Sequence, residues 1–401
     1  MLQDPIGDAS IPCEREQPVI LRQRTLAVAA LAAAAAITLA GCSAGATASS
    51  GSSSSTNWST ETSAAAGGGM SALVAAADKE GQLNVITLPP SWANYGKIIA
   101  GFEKKYPKIK IVSENPNGSS ADEVSAAKSQ KGQSTAPDVF DIGTAVLDQN
   151  LDLMAKYKVA NWDQVPANFK STDGKWIYDY TGLMSIGYDS SVIKTAPKDL
   201  KSLLGSEYKG KVAIKGNPTQ ANEAASAVYL AALENGGSAS NIQPGIDYFG
   251  KLKAAGNWQN VLPTQATVNS GETPVVIQWS YNNLAWGPAG GSSGNQNWKT
   301  VVPSGQALGS YYNQAINVDA PHPAAARLWE EYIYSPEVQN LYLAAGAYPA
   351  MLAAMEQNGT VDKSVLQKVG AAPKDIVQLT SSQATDAATL LSGKWAATMG
   401  Q

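Results

Sequence analysis

Few residues in this chain of 401 have side chains suited to covalent or metal chemistry. It has one histidine, His322, and two cysteines, Cys13 and Cys42, both within the first 42 residues. Beyond residue 42 no disulfide or thiolate site is therefore available, and a lone imidazole removes most transition-metal and triad chemistry. One nucleophile pattern is present: Gly290-Gly-Ser292-Ser-Gly294 matches G-x-S-x-G, with Asp319 and His322 following in hydrolase order. That chemistry needs a strand before the serine and a helix after it, and Ser292 sits in a Gly/Asn-rich loop with no apolar run on either side. Tyr311 and Tyr312 could offer phenolate oxygens to ferric iron, but adjacent residues on a strand face opposite ways. His322, between two prolines, reads as a surface helix-start residue. What remains is the chemistry of binding. The chain has 16 Tyr and 10 Trp against four Phe, rings with an apolar face and a polar edge. Such rings suit a wet cleft that grips cations, sugars or bases.

The elements that would position these rings alternate. Leu83 to Leu88 is a short apolar run ended by Pro89-Pro90, so it reads as a buried strand. A helix over Trp92 to Tyr106 follows, then a strand at Ile109 to Val112. Ser120-Ala-Asp-Glu123 has capping-box spacing and opens a helix through Lys131. Asp138 to Ile142 is a third strand, leading through Gly143-Thr144 into a helix over Val146 to Tyr157. The pattern recurs with a strand at Lys211 to Ile214. There Asn217-Pro218-Thr219-Gln220 supplies an N-cap, and the helix runs to about Leu233. Pro274 to Trp279 is another buried strand. Helices at Ala324 to Tyr334, Pro336 to Ala345 and from Ser364 onward finish the chain, and they are expected to cover the first sheet. Strands alternating with helices argue for an α/β architecture of two domains. Net charge is −4 and the pI about 5.2, with no basic run, which excludes the basic face of a nucleic-acid binder.

The N-terminus reads as an address. Arg22 and Arg24 precede an apolar stretch from Leu26 to Gly41, short of the roughly 20 residues of a membrane span and fitting a secretory segment. It ends in Leu39-Ala40-Gly41-Cys42, which is similar to a bacterial lipobox and implies lipidation of Cys42. Residues 1–41 are thus expected to be a signal peptide with an unusual extension of 20 residues. Residues 42–69, rich in Ser, Thr, Ala and Gly, are expected to form a flexible linker with a reach of roughly 30 Å.

Several stretches carry a resemblance. They are Ala136-Pro-Asp-Val-Phe-Asp-Ile-Gly143, Tyr208-Lys-Gly-Lys-Val-Ala-Ile214, Pro274-Val-Val-Ile-Gln-Trp279, Asp319-Ala-Pro-His-Pro-Ala-Ala-Ala326 and Tyr334-Ser-Pro-Glu-Val-Gln339. In this order, behind a lipobox, they resemble the solute-binding proteins of ABC importers, the type II group with polyamine, ferric-iron, thiamine and aminoethylphosphonate receptors. The resemblance covers Leu83 to Ala350. It implies a two-lobed type II periplasmic-binding-protein fold, two α/β lobes joined by two crossing strands. Lobe one is placed at residues 70–182 plus 315–401 and lobe two at 190–306, with crossings near 183–189 and 307–314. It further implies no catalysis, no cofactor, a monomer, and an extracytoplasmic receptor that serves a permease and its ATPase; the lipobox supplies its anchor at Cys42, and the lone histidine argues for no metal.

The cleft of such a fold is lined by loops at strand ends and by the helix N-termini that follow. That selects Ser91, Trp92, Ser119, Ser120, Gly143, Thr144, Asn217 and Thr219 in the two sets. Trp279 and Tyr281, expected to alternate to one face, Asn282 after them, and Tyr311 beside the second crossing complete the candidates. A cationic solute needs a carboxylate, for which Asp141, Asp148 and Glu272 are the nearest. The resemblance tilts the ligand toward a polyamine, with ferric iron, thiamine or aminoethylphosphonate as alternatives. From another class, the rival is a lipid-anchored hydrolase centred on Ser292.

Overall fold

In the computed structural model, residues 56–373 and 375–400 are described; the expected signal segment, Cys42 and the linker up to residue 55 lie outside them. Helix α1 (Met70–Glu80) stops at Gly81, whose φ of 68° is left-handed. Strands β1 (Gln82–Ile86) and β2 (Lys110–Glu114) pair in parallel around α2 (Tyr95–Lys105). Next come α3 (Ser120–Ser129), β3 (Val139–Gly143), α4 (Thr144–Leu147) and the short β4 (Met154–Ala155). The long β5 (Ile177–Asp189) leads into a second set: β6 (Val212–Ile214), α5 (Asn222–Glu234), α6 (Gln243–Ala254), α7 (Gln265–Asn269), β7 (Val275–Trp279), α8 (Ser280–Trp286) and β8 (Trp298–Val301). A second long strand, β9 (Ala307–Asn317), returns the chain to α9 (Pro323–Ile333), α10 (Pro336–Ala344), β10 (Tyr348–Pro349), α11 (Leu352–Asn358) and α12 (Lys363–Val369). Strand β11 (Ile376–Val377) and helix α13 (Ser381–Met399) end it.

The two long strands organise the sheet. The first half of β5 pairs antiparallel with β9, with Thr181 opposite Tyr311 and Leu183 opposite Gly309. Its second half, from Met184, pairs with β7, and Ile186 to Asp189 also pair with β8. On the other side, β3 and β4 pair with β9. Strand β5 is buried at every position but Tyr178, as expected of a strand covered on both faces. Helix α9 packs on α1 and β9, and Trp329 lies 5.4 Å from Phe102 of α2.

Some boundaries differ from expectation, each for a visible reason. The capping box of α3 is set one residue earlier: Ser119 caps, its partner is Asp122, and both reciprocal bonds form. Glu123 instead turns inward and accepts the backbone N–H of Asp141 at 3.0 Å. The helix expected over Val146 to Tyr157 stops at Leu147, because Asn150 donates back to the Val146 carbonyl at 2.9 Å and Met154–Ala155 joins the sheet. Asn217 does not cap a helix. Its side chain accepts from the N–H and hydroxyl of Thr219, closing a local turn, and α5 starts at Asn222.

Two terminal expectations also change. Residues 57–69, assigned to the linker, pack on the body: Trp58, their single large apolar residue, is buried, and Arg327 donates to the carbonyls of Ser59 and Glu61. Of the finishing helices, α13 covers the second set rather than the first. It buries Ala387, Leu391, Trp395 and Met399, a stripe at every fourth residue, and Trp395 lies 5.4 Å from Phe249 of α6.

Candidate functional site

Where the strand ends and helix starts of both sets meet, they enclose a cavity of ≈ 200 Å³. A single water needs roughly 10–15 Å³ by this measure, so the space admits an organic molecule. From the first set come Ser119, Ser120 and Ala121 at the start of α3, with Gly143 and Thr144 at the end of β3. From the second come Gln220, Asn222 and Ser226 around the start of α5. Strand β9 contributes Ser310, Tyr311 and Tyr312, and the C-terminal segment adds Thr380 and Ser381.

Local bonding fixes the walls. The Ser120 hydroxyl accepts from the Gly143 N–H at 3.0 Å, joining α3 to the end of β3. Thr144 accepts from the Asn313 side-chain amide at 3.1 Å, joining α4 to β9. Thr380 caps α13 in a box with Gln383, while Ala221, at the start of α5, has no side-chain oxygen to cap with. Three helices, α3, α5 and α13, thus direct their N-terminal ends at one cavity. A helix N-terminus carries about half a positive charge and unpaired N–H groups, which favour an anionic or oxygen-rich partner. None of the described lining residues carries a carboxylate, ammonium, guanidinium or imidazole.

Tyr312, which lines the cavity, is backed by an aromatic cluster. The Trp92 ring lies 5.2 Å from Tyr281 and 5.9 Å from Tyr312, and its indole N–H donates to the Tyr180 hydroxyl at 2.6 Å. This places a ring of the first set against one of the second. Burial holds the Tyr180, Tyr281 and Tyr312 hydroxyls well above the ordinary tyrosine range, so they stay neutral. Behind the rings lie two buried carboxylates. Desolvation raises Asp179 to about 6 and pushes Asp141 up as well, the Asp179 charge adding to the rise of Asp141. One oxygen of Asp141, the Tyr281 hydroxyl and the Trp279 indole nitrogen are buried without a hydrogen-bond partner among the described residues.

The structure brings together five of the sequence-selected residues, Ser119, Ser120, Gly143, Thr144 and Tyr311, in the cavity wall; Trp92 is not among the lining residues and packs against Tyr312. Ser91 is exposed beside Trp92, and Asn217 and Thr219 are exposed in their own turn, so none of the three reaches the cavity. Trp279 and Tyr281 do not alternate on a strand, because the chain turns helical at Ser280. Trp279 stays inside the second set, and Tyr281 is buried in the aromatic cluster. Asn282 donates to Glu223 at 3.1 Å. Of the carboxylates, Asp141 is behind that cluster, Asp148 is exposed and bonded to the Ser381 hydroxyl, and Glu272 is exposed ahead of β7. Ser292 lies exposed in a 3-10 turn, Asp319 pairs with Lys131 at 2.9 Å, and His322 binds Asp138 at 2.9 Å. These partners leave no Ser–His–Asp relay among the three. Tyr311 stacks on Tyr178 at 4.8 Å while Tyr312 faces Trp92, as residues pointing opposite ways on a strand must.

Sequence reasoning missed Gln220, Asn222, Ser226, Ser310, Thr380 and Ser381. Only the last pair carried a readable signal, the Thr380-x-x-Gln383 spacing of a capping box.

A family model described as bacterial extracellular solute-binding protein matches residues 137–372. Among solved structures, the periplasmic binding protein AgtB from A. tumefaciens R10 with agropinic acid is 15% identical with a TM-score of 0.61, covering 80% of this chain and 99% of that one. The periplasmic binding protein AfuA from Actinobacillus pleuropneumoniae with fructose-6-phosphate is 19% identical with a TM-score of 0.58, over 80% and 99%. The apo ferric ion-binding protein A of Pasteurella haemolytica is 18% identical with a TM-score of 0.57, over 80% and 98%. These likenesses are of fold: two α/β lobes joined by two crossing strands, of the type II periplasmic-binding-protein kind. No curated protein sequence matches the chain.

Proposed function

Because the chain belongs to the bacterial extracellular solute-binding proteins, receptors that hand small solutes to ABC importers outside the cytoplasm, we propose that its cavity takes an oxygen-rich solute, neutral or anionic. One observation carries this reading. Three helix N-termini and a wall of hydroxyl and amide groups meet there, with no charged side chain among the described lining residues. A polyamine would meet the positive ends of three helices and find its carboxylate, Asp141, buried behind Tyr312. The polyamine preference is therefore replaced by a sugar acid or sugar phosphate. The solutes in the AgtB and AfuA structures, agropinic acid and fructose-6-phosphate, support that chemistry.

The lobes we assign to residues 70–182 with 315–375, and to 190–306 with α13, joined through β5 and β9. Closure brings Trp92 onto Tyr281 and leaves the solute unaltered on release. Cys42 carries the lipid that holds the receptor, a monomer, at the outer face of the membrane. The test is a thermal-shift screen of the purified protein with fructose 6-phosphate, gluconate, thiamine, ferric citrate and spermidine. A native-state ligand raises the melting temperature. Stabilisation by the phosphate or acid is expected; stabilisation by spermidine alone would overturn the solute class, and turnover of any of them the receptor reading.

A further inference from the structure

Residues 376–384 run along one side of the cavity, and Gln378 to Ser381 with Ala384 line it. Ile376 and Val377 add a parallel strand to β9 opposite Ala307 and Leu308, at the start of the second crossing. Gln378 to Ser381 then form a cavity wall. At Ser381 the hydroxyl donates to the Asp148 carboxylate, at the end of α4 in the first set. From that point α13 turns away over the second set, where its attachments are many. Beyond the Trp395 packing, the Tyr229 hydroxyl donates to the Gln383 carbonyl at 2.7 Å, Gln383 donates to Ser240 at 3.0 Å, and Lys253 donates to the Met399 carbonyl at 2.7 Å.

The attachment is unequal. The helix is held along its length by the second set, and its leading end meets α4 of the first set, where an exposed hydroxyl–carboxylate bond ties the two. We propose that residues 376–384 form a latch along the solute cavity, fastened by Ser381 to Asp148. Resting on the reading that the solute sits in this cavity, the latch travels with the second lobe. Opening breaks the Ser381–Asp148 bond and lifts Gln378 to Ser381 off the solute, so the fastening sets how often the cleft opens and how long the solute stays. Ser381 is suited to this because it is not the cap of α13: Thr380 fills that role, and removing the Ser381 hydroxyl leaves the helix start intact.

The experiment is amide hydrogen exchange on the full chain and on Ser381→Ala, Asp148→Ala and the double variant, without solute. Exchange at residues 307–312 and 376–384 is expected to rise roughly 2- to 10-fold in each single variant, the loss of one hydrogen bond. The double variant should rise no further, and residues 387–399 should keep their protection. Unchanged exchange at 307–312, or loosening of 387–399 along with the rest, would overturn the latch. A second arm follows release of fructose 6-phosphate, expected to be faster in the variants. If that probe does not bind, the result counts against the solute class, and the exchange data alone decide the latch.

Discussion

The side-chain amide of Gln314 donates to the Asp179 carboxylate at 3.0 Å, joining β9 to β5 where the two strands run side by side. The Tyr95 hydroxyl reaches the same oxygen at 3.3 Å, and the Tyr180 N–H donates to the other at 2.6 Å. Donors alone do not offset the burial, and desolvation raises Asp179 to about 6 beside a raised Asp141. A folded-state pKa above the unfolded value means that the folded protein binds the proton more tightly. The stability it contributes is full below about pH 4 and is lost as pH rises through 6. Urea unfolding between pH 4 and 7 should show a decline on the order of 2 kcal/mol from Asp179. Asp179→Asn should flatten that decline; an unaltered slope would place its origin elsewhere.

His322 gives a second pH signal. Its ring nitrogen lies 2.9 Å from Asp138, whose other oxygen accepts the His322 backbone N–H at 2.7 Å. The hydrogen bond to this buried carboxylate raises the imidazole above its ordinary value of 6.5. Its contribution is full below about pH 6.5 and is lost as pH rises past the raised value. His322→Gln should cost about 1 to 2 kcal/mol at pH 6 and less at pH 9, read from urea midpoints. An equal cost at both pH values would mean that packing, and not charge, makes the contact.

Much of the fold was legible because its strands are short apolar runs between turn signals. Val139 to Gly143 and Val275 to Trp279 fell within a residue of expectation. The site was legible only where local rules decide it. Ser119, Gly143 and Thr144 sit at a helix start and a strand end, positions that sequence marks. Ser310 and Asn222 reach the cavity through β9 crossing between sets and α5 starting late, which depend on pairings far apart in sequence. Tyr281 failed for the reverse reason: its alternation assumed a strand, and the chain coils into α8 one residue earlier.

Gly182 tests the contact between the two sets. A Cβ there would lie 2.4 Å from the Tyr281 ring, and Tyr281 cannot retreat because Trp92 and Tyr180 rings lie 5.2 and 5.8 Å away. Gly182→Ala should therefore cost about 1 to 3 kcal/mol, the usual penalty of overpacking, and shift tryptophan emission as Trp92 is displaced. Full stability with an unchanged spectrum would show that the aromatic cluster is looser than its geometry implies.

The cavity itself can be separated from its scaffold with two variants of one capping box. Ser119 and Asp122 bond each other reciprocally at the start of α3, and either alanine loses the cap, at about 1 kcal/mol. Both variants should melt about 1 to 3 °C below the parent. Only Ser119 also lines the cavity, since Asp122 is not among its walls. Ser119→Ala should therefore weaken binding of a stabilising solute roughly 2- to 10-fold beyond the effect of Asp122→Ala, the range of one lost hydrogen bond. Calorimetry on both proteins reads the difference directly. If the two variants bind alike, the hydroxyl at the α3 N-terminus does not touch the solute, and the cavity between the helix starts is not where it sits.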